Sequence, residues 1–140
     1  MSNKALIGLD GFVDEVLYAV DQRFSSEKFS RLSTIREYGT RILEGCGLST
    51  NIELVSIKRK LGGNGPIYAE GLNKLGVEIT YLGCVGKETT HSVFHELEKR
   101  THMIGIADPG YTEAIEFSDG KIIQSKTTSL NCLRWERHTG

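Results

Sequence analysis

The segment Gly62-Gly63-Asn64-Gly65-Pro66 stands between an alternating apolar run and an amphipathic one. Adjacent glycines carry no side chains, so a ligand can come close to the backbone there. A helix starting at this point presents N–H groups and a partial positive charge. Such a place holds a hydroxylated or anionic ligand, or it is a plain tight turn before a helix. Asp10 and Asp14 lie four residues apart in Gly8-Leu9-Asp10-Gly11-Phe12-Val13-Asp14, at the end of one strand-like run and the start of the next. Carboxylates so placed can accept hydrogen bonds from two sugar hydroxyls, charge-assisted and directional. Ligands of open α/β sheets gather at the carboxyl ends of strands. Taken alone, Asp10 also reads as a turn former and Asp14 as a solvated strand residue.

Other constellations fail on spacing. After Gly63 and Gly65 the last position of a G-x-G-x-x-G fingerprint holds Tyr68, which argues against dinucleotide binding. Gly86-Lys87 imitates the end of a phosphate-binding loop, but Tyr81 stands where its first glycine belongs and Glu88 where its hydroxyl residue belongs. His91 and His95 have metal-ligand spacing for a helix, yet Ser92 follows the first where H-E-x-x-H needs glutamate, so an ordinary helix face is expected. Lys58, Arg59 and Lys60 read as a solvated strand end that could help attract an anion. Cys46, Cys84 and Cys132 are odd in number and form no C-x-x-C pair, so neither a disulfide framework nor a zinc site is expected.

These residues need a scaffold, and the composition suits one globular domain. The chain has 140 residues, 39% hydrophobic and 25% charged, with a formal net charge of −1. A nucleic-acid footprint usually requires a basic excess, so no nucleic-acid partner is expected. No apolar run approaches the roughly 20 residues that span a bilayer, and no long apolar leader precedes the first strand, so a cytoplasmic, membrane-free protein is expected.

Residues 4–9 read as a buried strand and 13–20 as a second, with Val16, Tyr18 and Val20 on one face. Residues 22–47 read as mainly helical, from Phe29, Leu32, Ile35, Tyr38 and Ile42; Thr34 and Glu37 match a capping box within that stretch. A strand follows over 52–60. Pro66 suits the first position of the next helix, whose apolar face would be Ile67, Gly71, Leu72 and Leu75, closed by Gly76. Strands are expected over 79–85 and 103–107, with a helix over 90–100 between them. Residues 114–117 and 122–125 flank Asp119-Gly120 as a hairpin. Trp135, Arg134 and Arg137 stand too isolated to read. The alternation predicts an α/β fold: a parallel sheet with crossover helices, plus a second, smaller sheet.

Taken in order, several segments resemble the PfkB or ribokinase-like carbohydrate kinases. Gly62-Gly63-Asn64-Gly65-Pro66-Ile67-Tyr68-Ala69, then Leu72 and Leu75-Gly76, resembles the first signature of that family. Tyr81-Leu82-Gly83-Cys84-Val85-Gly86-Lys87-Glu88, with Leu97 ten residues past Lys87, continues the likeness. Asp10 and Asp14 resemble its sugar-binding pair, and the Asp119-Gly120 hairpin falls where the family has strands of a β-sheet lid. The resemblance covers residues 4 to 127.

It implies a partial Rossmann-like core, with strands near 4–9, 79–85 and 103–107, and a lid built from strands near 13–20, 52–60 and 113–127. The sugar, nucleoside or related polyol would lie between the two, touching Asp14, Gly62 and Gly63, with Asn64 or Asp10 beside them. A hydroxyl would attack the γ-phosphate of ATP, with Mg²⁺ bridging the phosphates. Two departures concern the sugar site: Ile67 replaces a frequent asparagine, and His91 replaces a glycine. The second signature, a Gly-Ala-Gly-Asp segment that carries the anion hole and the base, is absent from these residues, so no catalytic residue and no ATP ligand is nominated. The expectation is therefore the sugar-binding part of a kinase, inactive alone and without its nucleotide-binding part. Its exposed sheet edge would be unstable or self-associating, and that edge or the lid would serve as a homodimer contact. The alternative is a non-catalytic sugar-binding or interaction module.

Overall fold

The computed structural model describes residues 3–133, so Arg134, Trp135 and Arg137 lie outside the described residues. The element order is β1 (Lys4–Ile7), β2 (Phe12–Arg23), β3 (Phe29–Arg31), α1 (Ile35–Glu44), β4 (Leu54–Gly62), α2 (Asn64–Lys74) and β5 (Glu78–Gly83). A 3₁₀ turn (Ser92–Phe94), α3 (His95–Glu98), β6 (His102–Gly105), β7 (Gly110–Phe117), β8 (Gly120–Lys126) and a last 3₁₀ turn (Thr128–Cys132) follow. These elements form a mixed α/β fold with a parallel sheet, crossover helices and a second sheet, which with five strands against three is the larger one and not the smaller one expected. The chain divides into two compact units.

Among the described residues the first unit takes those up to Asp14, Lys60–Thr112 and those from Ser125 onward. Its sheet has three strands in the order β1-β5-β6. Both pairings are parallel, with Ile7 opposite Tyr81 and Tyr81 opposite Met103. Parallel neighbours need a crossover; α2 precedes β5, and α3 stands between β5 and β6. Alternation along β5 turns Ile79, Tyr81 and Gly83 inward. Ile79 and Tyr81 join Ala69, Val85, Phe94 and Leu97 in one core. Burial of each large side chain there contributes roughly 1.5–3 kcal/mol.

Three expectations about this unit need correction. The face of α2 turned to the core is Gly65, Pro66 and Ala69, whereas Ile67 and Leu75 are 56% and 79% exposed. Small residues let the helix lie close on the sheet; of the expected apolar face Leu72 does pack against the core, while Ile67 and Leu75 point away. Pro66 stands third in α2 rather than first, a position whose N–H also has no intrahelical acceptor. The helix expected over 90–100 is a 3₁₀ turn, N-capped by the His91 side chain accepting from Val93 N–H, followed by one short α turn.

The second unit comprises Glu15–Arg59 and Glu113–Gln124. The second sheet has five strands, ordered β3-β2-β7-β8 with β4 also on β2. Leu17, Ala19, Leu32, Tyr38, Ile115 and Phe117 form this unit's core, with the Tyr38 and Phe117 rings 5.3 Å apart. Thus Leu17 and Ala19, not Val16 and Tyr18, mark the inner face of β2. The expected helix over 22–47 holds only from Ile35 to Glu44. Before it, β2 runs on to Arg23 and a turn returns the chain as β3, with the Ser25 hydroxyl accepting from Lys28 N–H at 3.1 Å. The Phe29–Leu32 spacing that imitated a helix belongs to that returning strand. Thr34 and Glu37 do form the expected capping box.

Candidate functional site

All five residues singled out from the sequence belong to the first unit. Asp10 lies between β1 and β2, and Asp14 is the third residue of β2. Gly62 ends β4, Gly63 is the N-cap of α2, and Asn64 is the first helical residue, its side chain exposed. The fold brings both carboxylates onto the glycine turn, Asp14 at Gly62 and Asp10 at Gly63.

Gly62 is buried, and a β-carbon there would overlap the carboxylate of Asp14. Only glycine allows that approach. Gly63 adopts φ 95° and ψ 147°, a conformation open to glycine. A β-carbon on it would also lie 2.9 Å from Oδ2 of Asp10.

The two carboxylates differ in what they hold. Asp10 Oδ2 accepts from the N–H of Asn64 and Oδ1 from the N–H of Gly65, both at 2.8 Å. The Tyr81 hydroxyl donates to the backbone carbonyl of Asp10 at 2.5 Å. Burial, and then the charge of Asp10, push the Tyr81 phenol above its ordinary range, so it remains a protonated donor. Asp14 is half-buried, and among the described residues no side chain or N–H donates to it. A half-buried carboxylate beside a glycine turn can accept hydrogen bonds from a neutral, hydroxylated ligand.

The sequence reading missed Tyr81. Its signal was present: a tyrosine on the inward side of a buried strand must find a partner for its hydroxyl. A helix starting at glycine likewise has no capping side chain of its own and must take an acceptor from elsewhere.

The remaining candidates lie elsewhere. His91 Nδ1 accepts from Val93 N–H at 3.3 Å and His95 Nε2 meets the Thr90 carbonyl at 3.0 Å, so the two histidines do not share a helix face. Arg59 pairs with Glu15 at 3.0 Å, which offsets part of the basic run. A concavity of about 490 Å³ opens beside Thr89, His91, Asp108, Tyr111 and Lys126, but none of the five predicted residues lines it. Among the described residues no three metal-ligating side chains converge, and no helix is long and apolar enough to cross a membrane.

A sequence profile of the family described as prokaryotic ketohexokinase matches residues 1–139. A ketohexokinase of Haloferax volcanii is 27% identical over 134 residues, which cover 94% of this chain and 36% of that protein. The fold is similar to a ribokinase from Cryptococcus neoformans solved in complex with ADP, with a TM-score of 0.56 and 16% identity over 99% of this chain and 38% of that one. It is also similar to Arabidopsis thaliana ribokinase complexed with ribose and ATP, with a TM-score of 0.51 and 14% identity over 92% and 37% of the two chains. At these identities the structural likeness speaks for the fold. The chain spans little more than a third of the length of each of these relatives.

Proposed function

We propose that this chain, which belongs to the prokaryotic ketohexokinase family, supplies the sugar-binding part of an ATP-dependent carbohydrate kinase. The substrate class is a ketohexose or a related polyol. The observation that carries this reading is the carboxylate of Asp14, half-buried on the backbone of Gly62 and without a protein donor among the described residues. In the proposed complex Asp14 accepts from substrate hydroxyls, while the backbone of Gly62 and Gly63 and the exposed amide of Asn64 complete the contact. A directional carboxylate orients one hydroxyl for attack, and phosphoryl transfer depends mainly on such positioning and on charge stabilisation. ATP is the proposed phosphate donor, and Mg²⁺ would supply charge neutralisation on its phosphates. No residue of this chain is assigned to either, nor to the base.

The test is a titration of the protein with fructose, followed by amide chemical shifts. Binding is expected to perturb Gly62, Gly63 and Asn64. Asp14→Asn should weaken it by about tenfold to a hundredfold, the range for losing a hydrogen bond to a charged group. Unchanged affinity in that variant would overturn the assignment. Incubation with ATP separates the kinase reading from the alternative, a binding module: sugar affinity with no phosphorylated product, in the protein as its gene expresses it, favours the module.

A further inference from the structure

Asp10 and Asp14 stand four residues apart beside one glycine turn, yet their acceptor oxygens are used differently. Both carboxylate oxygens of Asp10 are engaged by N–H groups of α2, at 2.8 Å each. The N-cap Gly63 contributes no side-chain cap. Beyond Gly63 the first-turn donors are fully accounted for. Asn64 and Gly65 donate to Asp10, Pro66 has no N–H, and Ile67 donates to the Gly63 carbonyl at 3.3 Å. The cap of α2 is thus supplied from 54 residues earlier in the chain.

Asp10 is itself fixed from behind. Tyr81 is fully buried, packed in the core with Ile79 and Phe94, and its hydroxyl donates to the Asp10 backbone carbonyl at 2.5 Å. The core therefore sets the loop, and the loop sets the start of α2. The N-terminal turn of that helix has its donors committed, and the negative charge of Asp10 already complements its dipole.

We propose that Asp10 is a positioning residue and not a sugar ligand: buttressed by Tyr81, it caps α2 across the chain and holds the Gly62-Gly63 turn in register with Asp14. This inference rests on the sugar-site reading above. It divides the two aspartates by role, Asp14 touching the substrate and Asp10 shaping the backbone that the substrate meets.

A direct ligand and a positioning residue leave different marks on a series of substrates. The experiment measures affinities of the unsubstituted protein, Asp10→Asn, Tyr81→Phe and Asp14→Asn for fructose and its monodeoxy analogues. A residue that bonds one hydroxyl loses its effect on the analogue lacking that hydroxyl, as in a double-mutant cycle. Asp10→Asn keeps one of the two acceptor oxygens and is expected to weaken every analogue by the same factor, about fivefold, the loss of one hydrogen bond of about 1 kcal/mol. Tyr81→Phe keeps the carboxylate and the core volume and should give the same uniform pattern at about threefold, a fraction of a typical hydrogen bond. Asp14→Asn should instead show a penalty that shrinks only on the analogues lacking a hydroxyl it accepts from. Amide hydrogen exchange at Asn64 and Gly65 should quicken in Asp10→Asn while the interior of α2 stays protected.

An Asp10→Asn penalty that disappears for one deoxy sugar makes Asp10 a ligand and overturns the inference alone. So does unchanged binding together with unchanged exchange at Asn64 and Gly65. Failure of the unsubstituted protein to bind any of the sugars sinks the sugar-site reading, and the inference with it. If Asp10→Asn does not fold, the uniform or selective pattern of Tyr81→Phe decides.

Discussion

The carboxylate of Asp14 occupies the space beside Gly62 that a β-carbon there would fill. The obstacle is a short side chain and not backbone, so a substitution at Gly62 displaces the carboxylate before it displaces the fold. Gly62→Ala is expected to weaken sugar binding at least tenfold while lowering the melting temperature only slightly. Isothermal titration and a thermal melt on one preparation check this. A large melting shift with intact affinity would mean that the backbone gives way and Asp14 stays.

The start of α1 offers a pH-dependent test in the second unit. Hydrogen bonds from the backbone N–H of Thr34 and then Ser33 hold the Glu37 carboxyl below its ordinary range. A carboxyl depressed in the folded state stabilises above its unfolded value, near ~4.3, and that contribution is lost as pH falls through the folded value. Glu37→Gln should therefore melt below the unsubstituted protein at pH 7, and the two curves should converge as the pH drops below about 4. Thr34→Ala removes the reciprocal acceptor and should cost about 1 kcal/mol over the same range. A Glu37→Gln difference that persists to the lowest pH would mean its charge has no part in the cap.

Much of this arrangement was legible in the sequence, and the rest failed for identifiable reasons. The capping box, the Asp119-Gly120 hairpin and the strand–glycine turn–helix order depend on residues close in sequence, where pattern and physics agree. The run from Gln22 to Ser33 misled because Phe29 and Leu32 have helical spacing, while antiparallel hairpin pairing back onto β2 decides their state. The partnership of Asp10 with Asn64, Gly65 and Tyr81 spans 54 to 71 residues, and no local signal reports a contact at such separation. The role of Ile67 was misjudged for another reason. Periodicity shows that a helix has an apolar face, but not which of two such faces the sheet receives.

Which face of α2 lies inside can be measured directly. Ala69 is fully buried, whereas Ile67 is 56% exposed. Ala69→Leu should overpack the sheet contact and destabilise by roughly 1–3 kcal/mol. Ile67→Ala should stay within about 0.5 kcal/mol, as exposed positions usually do. Denaturant melts of the two variants would show the reverse order if the amphipathic pattern had been the correct guide.

The first unit leaves large apolar side chains exposed on α2 and, separately, on β1. Tyr68 is 61% exposed and Leu75 79%, and Leu6 on β1 is 72% exposed. β1 stands at an edge of its sheet, pairing with β5. An edge strand offers unpaired N–H and C=O groups to another chain, and apolar side chains beside it add hydrophobic attraction. Lys4, the one charged residue of that strand, already pairs with Glu78 at 3.1 Å and guards only its first position. The protein alone is therefore expected to associate in a concentration-dependent way. Sedimentation velocity across a hundredfold concentration range should show the mass rising, and Leu6→Lys combined with Leu75→Lys should return it to the monomer. A monomer throughout that range, with a sharp cooperative melt, would mean that the first unit is stable with this surface in water.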